Sequence, residues 1–161
     1  MFTLSQRMND TAAVSGNEGI VYITYPDGRR KILANCLSFE FSQKFTSTTI
    51  PILGLRNKVN KKGLGECSGN IKMHYNCSDF REAVEEYKNT GKDSFYDLLI
   101  VNSDPNTPVG TQSVFIRGVN FTEMPIALLD TEADYLTETL PFTANGWDMN
   151  GKFNENGLRD A

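Results

Sequence analysis

One stretch, Ser78 to Gly91, carries the period of a helix. Phe80, Ala83, Val84 and Tyr87 fall at i, i+3, i+4 and i+7, and Arg81, Glu82, Glu85, Glu86 and Lys88 take the opposite face. Ser78 is a good N-cap, since its hydroxyl can accept a hydrogen bond from an unpaired N–H of the first turn. Asp79 suits the positive end of the helix dipole. Gly91 suits the exit, because glycine adopts the left-handed conformation without a steric penalty. A helix of about a dozen residues is marginal alone in water. The spacing therefore predicts a helix over 78–91 docked, apolar face down, on a sheet built by the rest of the chain.

The remaining segments read as strands. Ile20–Tyr25 is a short β-rich run, and Pro26-Asp27-Gly28 turns the chain. Lys31–Phe45 alternates, with Leu33, Asn35, Leu37, Phe39 and Phe41 on one face and Ser38, Glu40, Ser42 and Lys44 on the other. That pattern is a half-buried strand with one wet face. Cys67–Tyr75 repeats it, with Ile71, Met73 and Tyr75 opposite Asn70, Lys72 and His74. Phe95 to Val101 is almost continuously apolar, which predicts burial on both faces. Thr111–Phe121 and Tyr135–Thr143 are the last strands, and in the final one Leu136, Leu140 and Phe142 oppose Thr137, Thr139 and Thr143. The expected fold class is mainly β, a sandwich or barrel of mostly antiparallel strands with one flanking helix. With 161 residues, a single domain is expected. Its parts are an extended N-terminal arm at 1–19, the β-domain at 20–149, and a flexible C-terminal tail at 150–161. Chain ends of this composition are also commonly disordered.

Thr46–Gly65 breaks the alternation. It holds Pro51, Gly54, Gly63 and Gly65, the cations Arg56, Lys58, Lys61 and Lys62, and the apolar residues Ile50, Ile52, Leu53, Leu55 and Val59. Long loops without regular structure are usually functional or disordered, and so many apolar residues suit a surface that packs on something. The segment reads as a protruding contact loop, with a loop folded over its own domain as the alternative. Charge is divided along the chain. No acid lies between Glu40 and Glu66, whereas Gly118–Gly151 has no Lys or Arg but holds Glu123, Asp130, Glu132, Asp134, Glu138 and Asp148. Within one subunit this is ordinary mixing; between identical subunits it would make a complementary head-to-tail contact.

Chemistry is sparse. His74 is the only histidine and stands three residues before Cys77, but no second pair completes a four-ligand zinc site. No nucleophile elbow, dinucleotide fingerprint or phosphate-binding glycine loop occurs. Neither an enzyme, a metal nor a cofactor is expected. Cys36, Cys67 and Cys77 are odd in number and fit a reducing compartment better than a disulfide framework. A formal net charge of −4 argues against a protein that coats nucleic acid. Met1–Gly19 has no apolar core of signal-peptide length, and no window is long enough to span a bilayer. The asparagine triplets at Asn9, Asn76 and Asn120 have no meaning without export. Trp147 is read as packing of the chain end, with sugar stacking as the alternative.

In order and spacing the chain resembles the tail tube proteins of contractile phage tails, in particular the PBSX-type family of prophages and phage-tail-like bacteriocins. The resemblance is carried by Ser15-Gly16-Asn17-Glu18-Gly19 before a strand and the Asp27-Gly28 turn, then Ile52-Leu53-Gly54 with the basic residues after it. It continues through Gly65–Tyr75, the helix ending in Tyr87-Lys88-Asn89-Thr90-Gly91-Lys92-Asp93, Val119-Asn120-Phe121, Leu128-Leu129-Asp130, and Leu140-Pro141-Phe142-Thr143. The chain differs in a longer tail over Asn145–Ala161.

That resemblance implies hexameric rings stacked into a hollow tube inside a sheath, and no catalytic residues. The arm and contact loop would bind neighbouring subunits through Ile52, Leu53, Leu55, Arg56, Lys58, Lys61 and Lys62. The wet-face residues Ser38, Glu40, Ser42, Lys44, Asn70 and Lys72 would line the lumen. The charged face of the helix, with Arg81, Glu85 and Lys88, would look toward the sheath or a neighbour. Partners would be further copies, the sheath, tape-measure, baseplate and terminator proteins, and DNA in transit if the particle is a phage. Assembly would occur in the bacterial host cytoplasm, and the product would be a virion or released tail-like particle. The alternatives are a type VI secretion tube protein, which shares the fold class, and a monomeric ligand-binding β-domain.

Overall fold

The computed structural model describes residues 10–154. Its strands are β1 (Gly19–Thr24), β2 (Arg30–Ile32), β3 (Cys36–Ile50), β4 (Val59–His74), β5 (Tyr96–Ser103), β6 (Thr111–Phe121), β7 (Thr137–Ala144) and β8 (Gly146–Gly151), with helix α1 at Asp79–Thr90. The strands form one antiparallel sheet in the order β2-β1-β5-β6-β7-β4-β3, and β8 also pairs with β6.

The sheet folds over along β6, which pairs with β7 at Asn120–Thr143 and Phe121–Phe142 and with β8 from Arg117–Gly146 onward. Between these two pairings stands Gly118, with φ +65, whose N–H donates to Asp97 Oδ1 at 3.2 Å. A Cβ there would stand 2.2 Å from the Asn145 side chain, so space and backbone both require glycine. The bend brings Val21, Ile23, Leu98 and Ile116 opposite Ile71, Met73, Leu140 and Phe142, all buried. Each such side chain contributes roughly 1.5–3 kcal/mol through removal from water. Phe142 sits among Phe39 (5.7 Å), Phe41 (6.0 Å) and Phe121 (6.3 Å).

Several expectations are corrected. Thr46–Gly65 is not an irregular loop: β3 and β4 continue through it as a long hairpin, with pairing out to Ile50–Val59 and only 51–58 at the tip. The β3–β4 ladder supplies the regular structure that glycines and mixed polarity obscured. The predicted strand from Lys31 is split into β2 and β3 by Leu33–Asn35. A register shift between Cys36 and Ser38 then turns Leu37 outward, off the face shared by Phe39 and Phe41. β5 is buried on one face only. Tyr96 and Leu98 lie in the core, Leu99 and Val101 are half-buried, and Phe95 is exposed, because among the described residues no second layer covers that side.

Both chain ends are also better ordered than expected where they are described. Residues 10–19 are not an extended arm. A 3-10 turn at Asp10–Ala12 buries Ala12, Ser15 N donates to Asp104 Oδ2 at 3.0 Å, and Ser103 N donates to Glu18 O at 2.9 Å. The first half of the predicted arm, 1–9, lies outside the described residues. After Asn145 the chain forms β8, and Asn154 N donates to Val109 O at 2.6 Å; 155–161 of the predicted tail lie outside the described residues.

The helix forms as the spacing predicts, closed by Gly91 at φ 75 with its N–H on Tyr87 O. Its start differs. Ser78 makes no side-chain cap, and Asp79 Oδ2 instead accepts from Tyr25 Oη (3.0 Å) and Lys31 Nζ (2.7 Å), tying the first turn to β2 and to the residue that follows β1. Phe80 is the one helix residue fully buried, 4.9 Å from the Phe121 ring and 5.4 Å from Tyr96. Beyond it the docking loosens, although Ala83 still packs half-buried against the core. A cleft of about 390 Å³ lies under Ala83, Val84 and Tyr87, and Tyr87 is exposed. The expectation that the whole apolar face docks is met by Phe80 and Ala83, but not by Tyr87.

Candidate functional site

The six residues predicted to share a wet face do share one. Register sets Ser38 beside Lys72, Glu40 beside Asn70, Ser42 beside Ser68 and Lys44 beside Glu66. β7 adds Thr139 beside Lys72 and Thr143 beside Ser68. Successive residues of a strand point to opposite faces, so these form a continuous outward surface while Phe39, Phe41, Ile71, Leu140 and Phe142 point into the core. It is hydroxyl-rich, and its charges balance as Glu40 and Glu66 against Lys44 and Lys72. Glu66, Ser68, Thr139 and Thr143 were not among the sequence candidates. Their parity within their own strands was legible, but which strands lie side by side was not.

The predicted contact residues cluster on the hairpin. Ile52, Leu53, Leu55, Arg56 and Lys58 occupy the tip, where Leu55 N donates to Ile52 O at 3.2 Å. Lys61 and Lys62 stand on β4 opposite Thr48 and Ser47 and point to opposite faces. Lys62 lies over the Phe45 ring at 4.9 Å. From Lys44 and Glu66 outward the hairpin is a two-stranded ribbon, because β7 ends at Ala144 opposite Cys67. Every residue from Ser42 to Glu66 is exposed, and Leu53 completely so. Phe45 and Leu64, at 52% and 86% exposure, join this surface although the sequence did not single them out. An isolated two-stranded hairpin is at best marginally stable in water. This one extends a body strand, yet its exposed apolar residues have no cover among the described residues.

At the other end of β4 lies a long loop, Thr122–Leu136, without regular structure. It is held at both ends. Tyr75 Oη donates to Ile126 O (3.2 Å), Arg81 Nε donates to Pro125 O (3.1 Å), and Tyr75 N donates to Leu136 O (3.0 Å). Arg81 also pairs with Glu138 and donates to Cys77 O, with its guanidinium 4.1 Å from the Tyr75 ring centroid. The side chains of Arg81 and Glu138 are 15% and 1% exposed. Burial pushes the Glu138 carboxyl above its ordinary value, and Arg81 opposes that rise. The expected outward role for Arg81 is therefore corrected: it belongs to a buried staple. The stripe pattern placed it on the polar face, and only the fold sets Glu138 beneath it.

Little here resembles a chemical site. The His74 ring packs edge-on against Tyr135 at 5.4 Å. Among the described residues no group of three His, Cys, Asp or Glu is placed to hold a metal. A cleft of about 580 Å³ opens between β1, β2 and β3, lined largely by apolar residues including Ile20, Leu33, Phe39 and Ile100. Cys36 lines it, but burial raises its thiol pKa, the reverse of what activates a nucleophile. Trp147 Nε1 donates to Gln43 Oε1 between β8 and β3, so the ring is engaged within the domain rather than in a loose tail.

Comparison with known proteins agrees with this architecture. The family model described as a phage tail tube protein matches residues 6–150. The chain is 28% identical over 142 residues to the phage-like element PBSX protein XkdM of Bacillus subtilis (strain 168), covering 88% of this chain and 93% of that one. Its fold is similar to a chain in the anti-feeding prophage baseplate structure, with a TM-score of 0.67 at 14% identity, covering 86% and 95% of the two chains. It is similar also to a chain of the sheath–tube complex of an extracellular contractile injection system in the extended state, with a TM-score of 0.64 at 10% identity, covering 86% and 92%.

Proposed function

The chain belongs to the phage tail tube protein family, and we propose that it builds the inner tube of a contractile tail or tail-like bacteriocin as hexameric rings stacked into a hollow conduit. The observation that carries this is the projecting hairpin. Among the described residues nothing covers its exposed Phe45, Leu53, Leu55 and Leu64, and such a surface suits an apolar partner. In a tube the hairpin packs on neighbouring subunits through Ile52, Leu53, Leu55, Arg56, Lys58, Lys61 and Lys62.

The outward face of β3, β4 and β7 lines the lumen through Ser38, Glu40, Ser42, Lys44, Asn70 and Lys72. Its balanced charge suits a wall past which a polyanion slides without being held, since tight binding requires net cations to displace counterions. The long edge of β3, unpaired among the described residues, supports the same arrangement. Exposed edges invite pairing with another chain, and a closed ring satisfies them. That one structural neighbour belongs to a sheath–tube complex and another to a baseplate supports sheath and baseplate proteins as partners. Tape-measure and terminator proteins would complete the tail, with assembly in the host cytoplasm. The conduit passes DNA in a phage, or punctures an envelope in a bacteriocin.

Electron microscopy of the purified protein, alone and with its sheath, tests the proposal. The expected result is tubes of sixfold symmetry, with Ser38, Glu40, Asn70 and Lys72 facing the bore. A protein that stays monomeric at high concentration with and without the sheath would refute the tube, and a tube with those side chains on its outer wall would refute the lumen assignment.

A further inference from the structure

We infer that the hairpin tip of one subunit docks on the Thr122–Leu136 loop of another copy, and that this contact sets the axial, head-to-tail direction of assembly. The inference rests on the tube proposal and names the partner surface that the proposal leaves open. The two surfaces are matched in charge. Phe45–Gly65 carries Arg56, Lys58, Lys61 and Lys62 and no acid; Thr122–Leu136 carries Glu123, Asp130, Glu132 and Asp134 and no base. All eight side chains are exposed, and among the described residues none of them forms an ion pair.

They are matched in apolar surface as well. Leu53 at the tip is fully exposed, and on the loop Leu129 is 95% exposed, with Ile126 and Tyr135 also turned to solvent. Salt-sensitive attraction that brings an apolar centre into register, with charges at its rim, is how complementary protein surfaces gain specificity.

Position decides that the two surfaces meet between copies. β4 begins at Val59 beside the tip and ends at His74, whose ring packs on Tyr135 of the loop. Its 16 residues span about 50 Å at the usual rise of a strand. The basic pole and the acidic pole therefore lie at opposite ends of one ribbon and cannot meet within a chain. A contact between different patches on two copies is heterologous, and where it does not close it propagates along an axis. The loop is prepared for this. Arg81, paired to buried Glu138, fixes its start through Pro125, and Tyr75 fixes it at Ile126 and Leu136. A loop anchored near both ends loses less freedom on binding than one free throughout.

Charge exchange tests the contact. One variant reverses the tip (R56E, K58E, K61E, K62E) and a second reverses the loop (E123K, D130K, E132K, D134K). Each alone should lower tube elongation by at least about tenfold at physiological salt, while circular dichroism and the thermal midpoint report an intact fold. Mixed together, the two should elongate by alternating, since an acidic tip then meets a basic loop and a basic tip meets an acidic one. The milder L53S and L129S variants check the apolar centre, and each should slow elongation without a charge change. The inference is overturned if wild-type protein forms tubes and either reversed variant elongates as well as wild type, or if the mixture fails to recover. A loop-reversed variant that elongates normally but no longer recruits the sheath would assign the loop to the sheath and equally overturn it. Failure of the wild type itself to form tubes would instead count against the tube proposal.

Discussion

Cys36–Lys44 and Phe45–Ile50 are successive parts of one strand, paired to successive parts of another, yet they follow different rules. In the inner part Phe39 and Phe41 pack against Phe142 while Ser38, Glu40, Ser42 and Lys44 face out, and β7 lies alongside β4 as a third strand. In the outer part β7 is gone, and apolar and basic side chains stand exposed on both faces. The difference teaches what alternation records. It marks a sheet whose one side is covered by its own chain, and it fades where, among the described residues, no covering surface is supplied.

Substitutions should separate the two parts by what they damage. Phe142→Ala removes the ring on which the inner part packs and should cost about 3–5 kcal/mol, read as a fall in the denaturation midpoint. Arg81→Ala leaves the Glu138 carboxylate buried without its partner and should cost about 3 kcal/mol. Hydrogen exchange should then show the Thr122–Leu136 loop released before the core opens.

A smaller effect belongs to the clasp between the helix start and β2. Lys31 first, and Tyr25 after it, hold the Asp79 carboxyl below its ordinary value. The folded state therefore binds fewer protons than the unfolded one in the acid range. The clasp's stability is complete above the ordinary carboxylate pKa of about 3.9 and is lost as pH falls through the lower folded value. Because the pair is partly exposed, the contribution is at most about 1 kcal/mol. Asp79→Asn should flatten that part of the stability–pH curve, and an unchanged acid limb would show the clasp contributes nothing. The smallest effect on the fold, within about 0.5 kcal/mol, is expected of Leu53→Ser in the ribbon. A loss of stability comparable to Phe142→Ala would make the hairpin part of the monomer's core and erase the contrast between the two parts.

Much of the fold was legible where a local pattern reports a local environment. The helix was fixed by Phe80, Ala83, Val84, Tyr87 and Gly91, and the lower parts of β3, β4 and β7 by alternation. The bulge at Leu37 was not, because the sequence alternates through it without interruption. β8 was hidden by glycine and asparagine, since its place depends on pairing with β6. The outward face was half legible: residues within each strand could be assigned, but their neighbours across strands could not.

By itself the sequence determined a β-rich domain with one helix and a division of cations and acids along the chain. Side-chain period follows from burial by immediate neighbours, and charge needs no fold to be counted. Only the tertiary structure decided that the supposed loop is an extended ribbon, that Arg81 and Glu138 face each other in the interior, and that the basic and acidic segments occupy opposite ends of β4. Backbone pairing and register make those choices, and backbone hydrogen bonds leave no mark on the identity of the side chains that flank them.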